Sequence, residues 1–393
     1  MSKNNENKLV PKLRFSEFKD VWNPEQLSNL LDYERPDNYI VKDTNYVTDG
    51  TPVLTANKSF ILGYTQETFG ICNDIPAIIF DDFTVDKKFV DFPFKVKSSA
   101  IKILRPKGKD DLKFLFELMS LIRFEAKEHK RYYISAYQNL SVPIPKPTEQ
   151  QKIAACLSSL DEVITAESQK LEVLKDHKKG LLQNLLPQAG ETVPKFRFKE
   201  FEDSGEWEET TLTQVADYEN GKAHEQDIAD DGEFIVVNSK FISQDGEVKK
   251  FTNTAFLPAT KGDVLMVLSD IPNGKAIAKC FLVEEDNRYT VNQRICRITP
   301  NNLNSKILYY LLNRNPYFLA FDDGVKQTNL RKEDVLNCPL MIPEDPKEQE
   351  KIADTLSSVD DLINAQNQKL EALQLHKKGL LQGLFPNVNE VKE

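Results

Sequence analysis

Apolar residues from Ile153 onward return at alternating intervals of four and three. The series is Ile153, Leu157, Leu160, Ile164, Leu171, Leu174, Leu181 and Leu185. A second series reads Ile352, Leu356, Val359, Ile363, Leu370, Leu373, Leu380 and Leu384. This spacing predicts two long helices, each with one apolar seam of the coiled-coil type. At about 1.5 Å per residue each runs roughly 55 Å. Thr148 with Gln151, and Asp345-Pro346 with Glu348, supply helix-start signals, and Pro187 and Pro386 mark the ends. One stripe on so long a helix needs a partner. Antiparallel packing of the two copies about residues 172 and 371 would set the polar seam residue Glu167 beside Lys377, with Lys178 and Gln366 also in the seam. A coiled coil between two chains is the other solution.

Upstream of each helix the pattern changes to short β-rich runs with turn punctuation. The first region has Thr51–Leu54, Ala77–Phe80, Phe92–Val96 and Ala100–Leu104, then a helical run Leu112–Lys127. The second has Phe234–Val237, Asp263–Leu268, Ile277–Val283 and Gln293–Ile298, then a helix from Ser305 to about Phe321. Each ends in a proline-rich exit, VPIPKP or CPLMIP. The common order of strands, one helix and exit predicts two α+β heads of one design with different loops.

The helices are copies. Residues 149–187 and 348–386 align without a gap, at an offset of 199, with 25 of 39 positions identical. A shorter repeat lies ahead of each head: VPKLRFSEF at 10–18 and VPKFRFKEF at 193–201. The stretches between, roughly 20–148 and 207–347, share little. Constant segments thus alternate with variable ones, as on one scaffold carrying two specificities. The order is also circular, because joining the C-terminal LFPNVNEVKE to the N-terminal ENKLVPKLRF would rebuild the central linker LLPQAGETVPKFRF. The division expected is 1–148 first head, 149–187 first helix, 188–347 linker and second head, 348–386 second helix, and 387–393 tail.

Composition narrows the class. Apolar residues make up 40% and charged residues 28%, as in globular domains. No run of 18 apolar residues exists, and the first twelve residues lack an apolar signal core. Five scattered cysteines, with no CxxC pair, indicate reduced thiols in a cytoplasm rather than a zinc site or disulfide frame. The net charge of −10 has the wrong sign for a nucleic-acid binder. Charge is segregated, however: Lys87 to Lys109 holds eight Lys/Arg and one acid, Asp91. A locally basic face on an acidic chain still binds phosphates.

Candidate DNA contacts are polar and basic residues near strand ends. In the first head these are Thr55, Asn57, Lys58, Lys87, Lys88, Lys95, Lys97, Arg131, Tyr132, Tyr133 and Ser135. In the second they are Lys222, Asn238, Lys240, Asn273, Lys275, Lys326, Gln327 and Asn329. Arg, Lys, Asn and Gln read base edges or grip phosphates. Each is equally at home on a solvated surface. His177 and His376, in the repeated HKKGLLQ run, read as part of a basic helix end complementing the dipole. No phosphate loop, GxGxxG, HExxH or GxSxG occurs. Asn315-Pro316-Tyr317-Phe318 is similar to a methyltransferase NPPY loop but lacks its second proline, and reads as a helix break. No catalytic or metal-ligating constellation emerges.

The proline exit followed by EQQKIA or EQEKIA, the SSLD/SSVD run, the QKLE…LHKKGLLQ helix end and the VPKLRF/VPKFRF lead-in resemble the specificity subunit of type I restriction-modification systems over nearly the whole chain. The resemblance implies an α+β chain of two pseudo-symmetric α/β target-recognition domains, separated by two long helices in an antiparallel coiled coil. It implies that each head reads half of a split target on double-stranded DNA. The helices would set the spacer and dock two methyltransferase subunits. Those partners would bind S-adenosylmethionine, and restriction motor-nuclease subunits would use ATP and Mg. This chain would hold no cofactor, catalyse nothing itself, contact no membrane and work in the cytoplasm. The motifs lie on the scaffold and carry no base-contacting residue across. Competing readings are a coiled-coil adaptor whose heads bind protein partners and, behind it, a nuclease with a diverged site.

Overall fold

The computed structural model describes residues 9–56, 59–128, 130–188, 190–272 and 274–388. Asn57, Lys58 and Asn273 lie outside them. The chain forms two compact units. The first takes residues up to Gln169 together with those from Gln368 on; the second is Lys170–Asn367. These bounds do not coincide with a serial division into head, helix, head and helix.

The first head holds a four-stranded sheet, a three-stranded sheet and a two-stranded pair. Leu31–Glu34, Ile101–Pro106, Ala77–Asp81 and Lys87–Val90 lie side by side in that order. Ala77–Asp81 is buried along its whole length, as a β-branched and aromatic central strand should be. Ile61–Thr65, Thr51–Leu54 and Lys95–Val96 form the second sheet, the last two strands parallel. Asn23–Gln26 pairs with the proline exit Ser141–Ile144. Asp111 caps the helix Leu112–Leu121 by accepting from the Phe114 amide. That helix ends six residues short of the expected Lys127. Phe124 leaves it to pack edge-on against Tyr132 and Tyr137, ring centres 5.3 and 5.4 Å away.

The second head repeats the plan. Ala216–Asn220, Ile295–Pro300, Val264–Val267 and Cys280–Leu282 match the four strands of the first in order and direction. Phe234–Val237 runs parallel to Tyr289–Val291 in a second sheet, and Glu208–Thr211 pairs with the exit Pro339–Ile342. The expected helix breaks after Leu312 and resumes at Pro316, where Asn315 accepts from the Tyr317 amide. The Asn-Pro pair is therefore the helix break read from the sequence. Four cysteines, Cys72, Cys280, Cys296 and Cys338, are buried free thiols.

The two long helices span Pro147–Leu185 and Pro346–Leu384. Every seam residue is buried or half-buried, and Ile153, Leu157, Ile352 and Leu356 are at most 1% exposed. In the first unit, Ile153 and Leu157 share a core with Leu384 and Phe385. In the second, Ile352 and Leu356 share one with Leu185. Each unit thus combines one head, the start of its own helix and the end of the other helix. The pairing is antiparallel: Asp161 meets Lys377 at 2.6 Å, and Glu167 meets Lys369 at 2.5 Å. Glu167 faces Lys369 and not Lys377, a slip of about two helical turns from the expected register. The cause is the head, whose Glu117 joins Asp161 in holding Lys377. In the second unit Lys178 meets Asp360. Lys178 and Lys377 therefore serve as ion-pair partners of the repeated SSLD/SSVD aspartate. They lie about two turns from the helix ends, beyond the reach of the terminal dipole.

The second helix starts at the expected Asp345-Pro346, whereas the first starts at Pro147, one residue ahead of the expected Thr148 signal. Pro147 and Pro346 are the first helical residues, and the Asp345 carboxylate caps the second helix through the Lys347 amide. Glu149 and Glu348 instead take a guanidinium from the lead-in segment, Arg14 and Arg197 respectively. The next residue, Gln150 or Gln349, bonds a carbonyl of the proline exit and a backbone amide at the start of the head helix. The repeated Glu-Gln pair is the clasp that fixes each head to its helix.

Candidate nucleic-acid interface

Each head has a crossover joining its two larger sheets: Lys97–Ala100 in the first and Asn292–Arg294 in the second. Backbone hydrogen bonds make the two superimposable in role. The Lys97 amide donates to the Leu54 carbonyl, and the Asn292 amide to Val237. The Asp82 amide donates to Ala100, and the Leu268 amide to Arg294. Tyr132 then donates to Asp82, and Leu330 to Leu268. Thr55 therefore corresponds to Asn238, Lys97 to Asn292, Ala100 to Arg294 and Arg131 to Asn329. Five of the eight are candidates read from the sequence in two unrelated stretches, and the fold gathers them around one crossover in each head.

In the first head, Lys97 and Arg131 are exposed. Arg131 lies over the Phe83 ring at 5.9 Å, and its segment is anchored by Asp82, which accepts from the Tyr133 amide and pairs with the buried Lys102. Lys88 is half-buried, 6.0 Å from the Phe60 ring centre. Ser135 is exposed and bonds the Arg131 carbonyl.

Other candidates are structural. Lys95 is fully buried; its ammonium donates to the carbonyls of Phe69 and Gly70 and pairs with Glu67 at 2.9 Å. The Lys95 hydrogen bond holds the Glu67 carboxyl below its usual range. Lys87 lies over the Tyr137 ring, and burial lowers its ammonium to about 8 against the opposing pull of Asp86. Tyr132 and Tyr133 are core residues, the latter against Phe80 and Tyr33. Thr55 is 9% exposed. The basic run is also less basic than its sequence. Lys102 pairs with Asp82, Arg105 with Glu34 and Asp74, and Lys107 with Asp32. A lysine on a strand reads the same whether it faces solvent or a ring of carbonyls.

In the second head, Lys222, Lys240, Lys275, Lys326, Gln327 and Asn329 are exposed. Lys222 bridges Asn292 from the neighbouring segment. Gln327 donates to Ser269, which pairs with Asn329 on the adjacent strand. Asn238 is half-buried and caps the helix Ser239–Ser243 through the Phe241 amide. Sequence reasoning missed Asn292 and Arg294. Their signal is an Asn-Gln-Arg run between two β patterns. Among the described residues, no group of His, Cys, Asp or Glu is arranged to hold a metal, and no helix is long and apolar enough to cross a membrane.

Comparison with known proteins gives this geometry a setting. The family description "Type I restriction modification DNA specificity domain" matches residues 3–176 and again 204–375. The specificity subunit of the Escherichia coli type I restriction enzyme EcoR124I/EcoR124II is 29% identical over 367 residues, covering 88% of this chain and 87% of its own. The MjaVIII specificity subunit of Methanocaldococcus jannaschii is 26% identical, with 92% and 89% covered. The crystal structure of a type I restriction-modification S subunit from M. genitalium shares the fold, with a TM-score of 0.66 at 16% identity over 96% of this chain and 99% of that one. Two family domains, two copies of one head and two clasped helices converge on one conclusion: the chain belongs to the type I restriction-modification DNA specificity family.

Proposed function

We propose that each head reads one half of a bipartite target on double-stranded DNA, using the surface around its crossover. The observation that carries this is the equivalence of the two crossovers with different side chains: Lys97, Ala100 and Arg131 in one, Asn292, Arg294 and Asn329 in the other. One scaffold with two sets of base- and phosphate-binding groups suits two different half-sites. The paired helices set the unspecified spacer and dock two methyltransferase subunits. Those partners bring S-adenosylmethionine, and restriction subunits bring ATP and Mg, in the cytoplasm. The chain itself supplies recognition rather than catalysis.

The test is methylome sequencing of cells carrying this chain with its methyltransferase partner, before and after residues 20–148 are exchanged for another head of the family. One half of the methylated sequence should change and the other persist. Loss of sequence preference, with the heads capturing a protein instead, would favour an adaptor.

A further inference from the structure

We propose that Arg294 reads a guanine in the half-site recognised by the second head; the inference rests on the DNA-reading role above. Arg294 is exposed, with φ 68°. A left-handed backbone is uncommon for a residue other than glycine, and it persists where surrounding structure dictates it. Here three neighbours do so. The Arg294 carbonyl accepts from the Leu268 amide at 2.8 Å. The Ile295 amide closes a turn onto the Asn292 carbonyl at 3.2 Å. Gly221 lies directly beneath, where a Cβ would meet the Asn292 oxygen at 2.0 Å and the Ile295 oxygen at 2.8 Å, so only glycine lets the segments approach.

The other two crossover side chains are occupied. Asn292 accepts from the His224 amide at 3.1 Å, and Gln293 donates to Glu225 at 2.7 Å. The Arg294 guanidinium makes no hydrogen bond or ion pair with another described residue. A rigid loop thus presents one unengaged guanidinium. Through Leu268, its backbone adjoins the strand pair that carries Asn329, with Gln327 one residue ahead of that pair. A guanidinium held this way suits the two acceptors, O6 and N7, that guanine shows in the major groove. The first head has Ala100 at the equivalent position, and its guanidinium is Arg131 instead. The two heads therefore hold their arginines at different places on the same frame.

The test uses the full chain in complex with its methyltransferase partner. Wild-type methylome sequencing defines the target first. Binding is then measured to the target duplex, to targets with each base pair of both half-sites replaced in turn, and to an unrelated duplex. Arg294→Gly removes the side chain and keeps the left-handed backbone free of strain. It should weaken cognate binding by roughly 5- to 150-fold and leave the unrelated duplex unchanged. Its methylome should become degenerate at one G·C pair in one half-site. Arg294→Lys, which keeps the charge, should also leave the unrelated duplex unchanged and lose discrimination at that same pair only. Equal weakening on cognate and unrelated DNA would make Arg294 a phosphate contact and overturn the proposal. Unchanged specificity in both variants, or degeneracy at an A·T pair, would overturn it too. A wild-type complex with no sequence preference would instead overturn the DNA-reading role itself.

Discussion

Arg14 grips Glu149 through two hydrogen bonds of 2.8 Å. Arg197 repeats the grip on Glu348 at 2.8 and 2.7 Å. Each pair joins the segment ahead of a head to the helix behind it, so the two constant motifs flanking each variable region meet in space. A head can then vary freely between fixed points. Breaking a buried, bidentate pair leaves one charge without compensation. With the Glu348 side chain 1% exposed, Arg197→Ala should destabilise the second unit by about 3–5 kcal/mol. Arg197→Met with Glu348→Leu should cost far less than the two single changes together. Denaturant unfolding of the wild type, Arg197→Ala, Arg197→Met, Glu348→Leu and the double variant measures this, and single variants within 0.5 kcal/mol of wild type, roughly the range of ordinary surface changes, would refute it.

Lys95 and Lys97 are two residues apart and should behave oppositely. Lys97→Ala should flatten the dependence of log K on log salt by about one unit and spare stability. Lys95→Ala should lower the melting temperature of the first head, because Glu67 and two carbonyls lose their partner. Matching salt slopes for the two variants would contradict this separation.

The Asp161 carboxylate sits between Lys113 and Lys377 at 2.8 and 2.6 Å. Burial raises its pKa, but hydrogen bonds to both lysines outweigh burial and hold it below the usual carboxylate range. A carboxyl with a depressed folded-state pKa stabilises above its unfolded value, near 4, and loses that contribution as pH falls through the folded value. Asp161→Asn should therefore be less stable than wild type at pH 7, with the gap closing below about pH 4. A gap independent of pH would remove the ion cluster as its cause.

If the helices set the spacer, four helix-favouring residues inserted after Gln169 and again after Gln368 should lengthen the unspecified DNA between half-sites by one base pair, or at most two. Four residues add about 6 Å and a residual turn of about 40°. One base pair turns about 35°. Inserting at these points leaves Asp161–Lys377 and Lys178–Asp360 in register within their own units. Methylome sequencing reads the result, and an unaltered spacer would count against the ruler.

The long helices were legible because a period repeated over ten turns outweighs local noise, as Ile153 to Leu185 illustrates. The common plan of the heads was legible from the order of strands and exit. The register of the helices was not, because Glu117 on a head helix captures Lys377 and no seam pattern records it. Which candidate side chains stand free for contact was only partly legible. Lys95 and Lys97 look alike on a strand until the carbonyls of Phe69 and Gly70 are in place. Arg294 carries no mark of its left-handed backbone, which Gly221 and Leu268 impose from distant stretches of chain.

The mixed parentage of each unit sets an order on synthesis. The second unit is one continuous stretch and is complete when residue 367 has been made. The first is not. Trp22 and Phe114 pack against Phe385, with ring centres 6.1 and 5.1 Å away, and Leu384 and Val388 belong to the same core. A ribosome adding about 5–20 residues per second needs roughly 10–40 s to cross the 198 residues between the two parts of the first unit. Throughout that interval the earlier-made head waits with its underside open, until Leu384, Phe385 and Val388 emerge to close it.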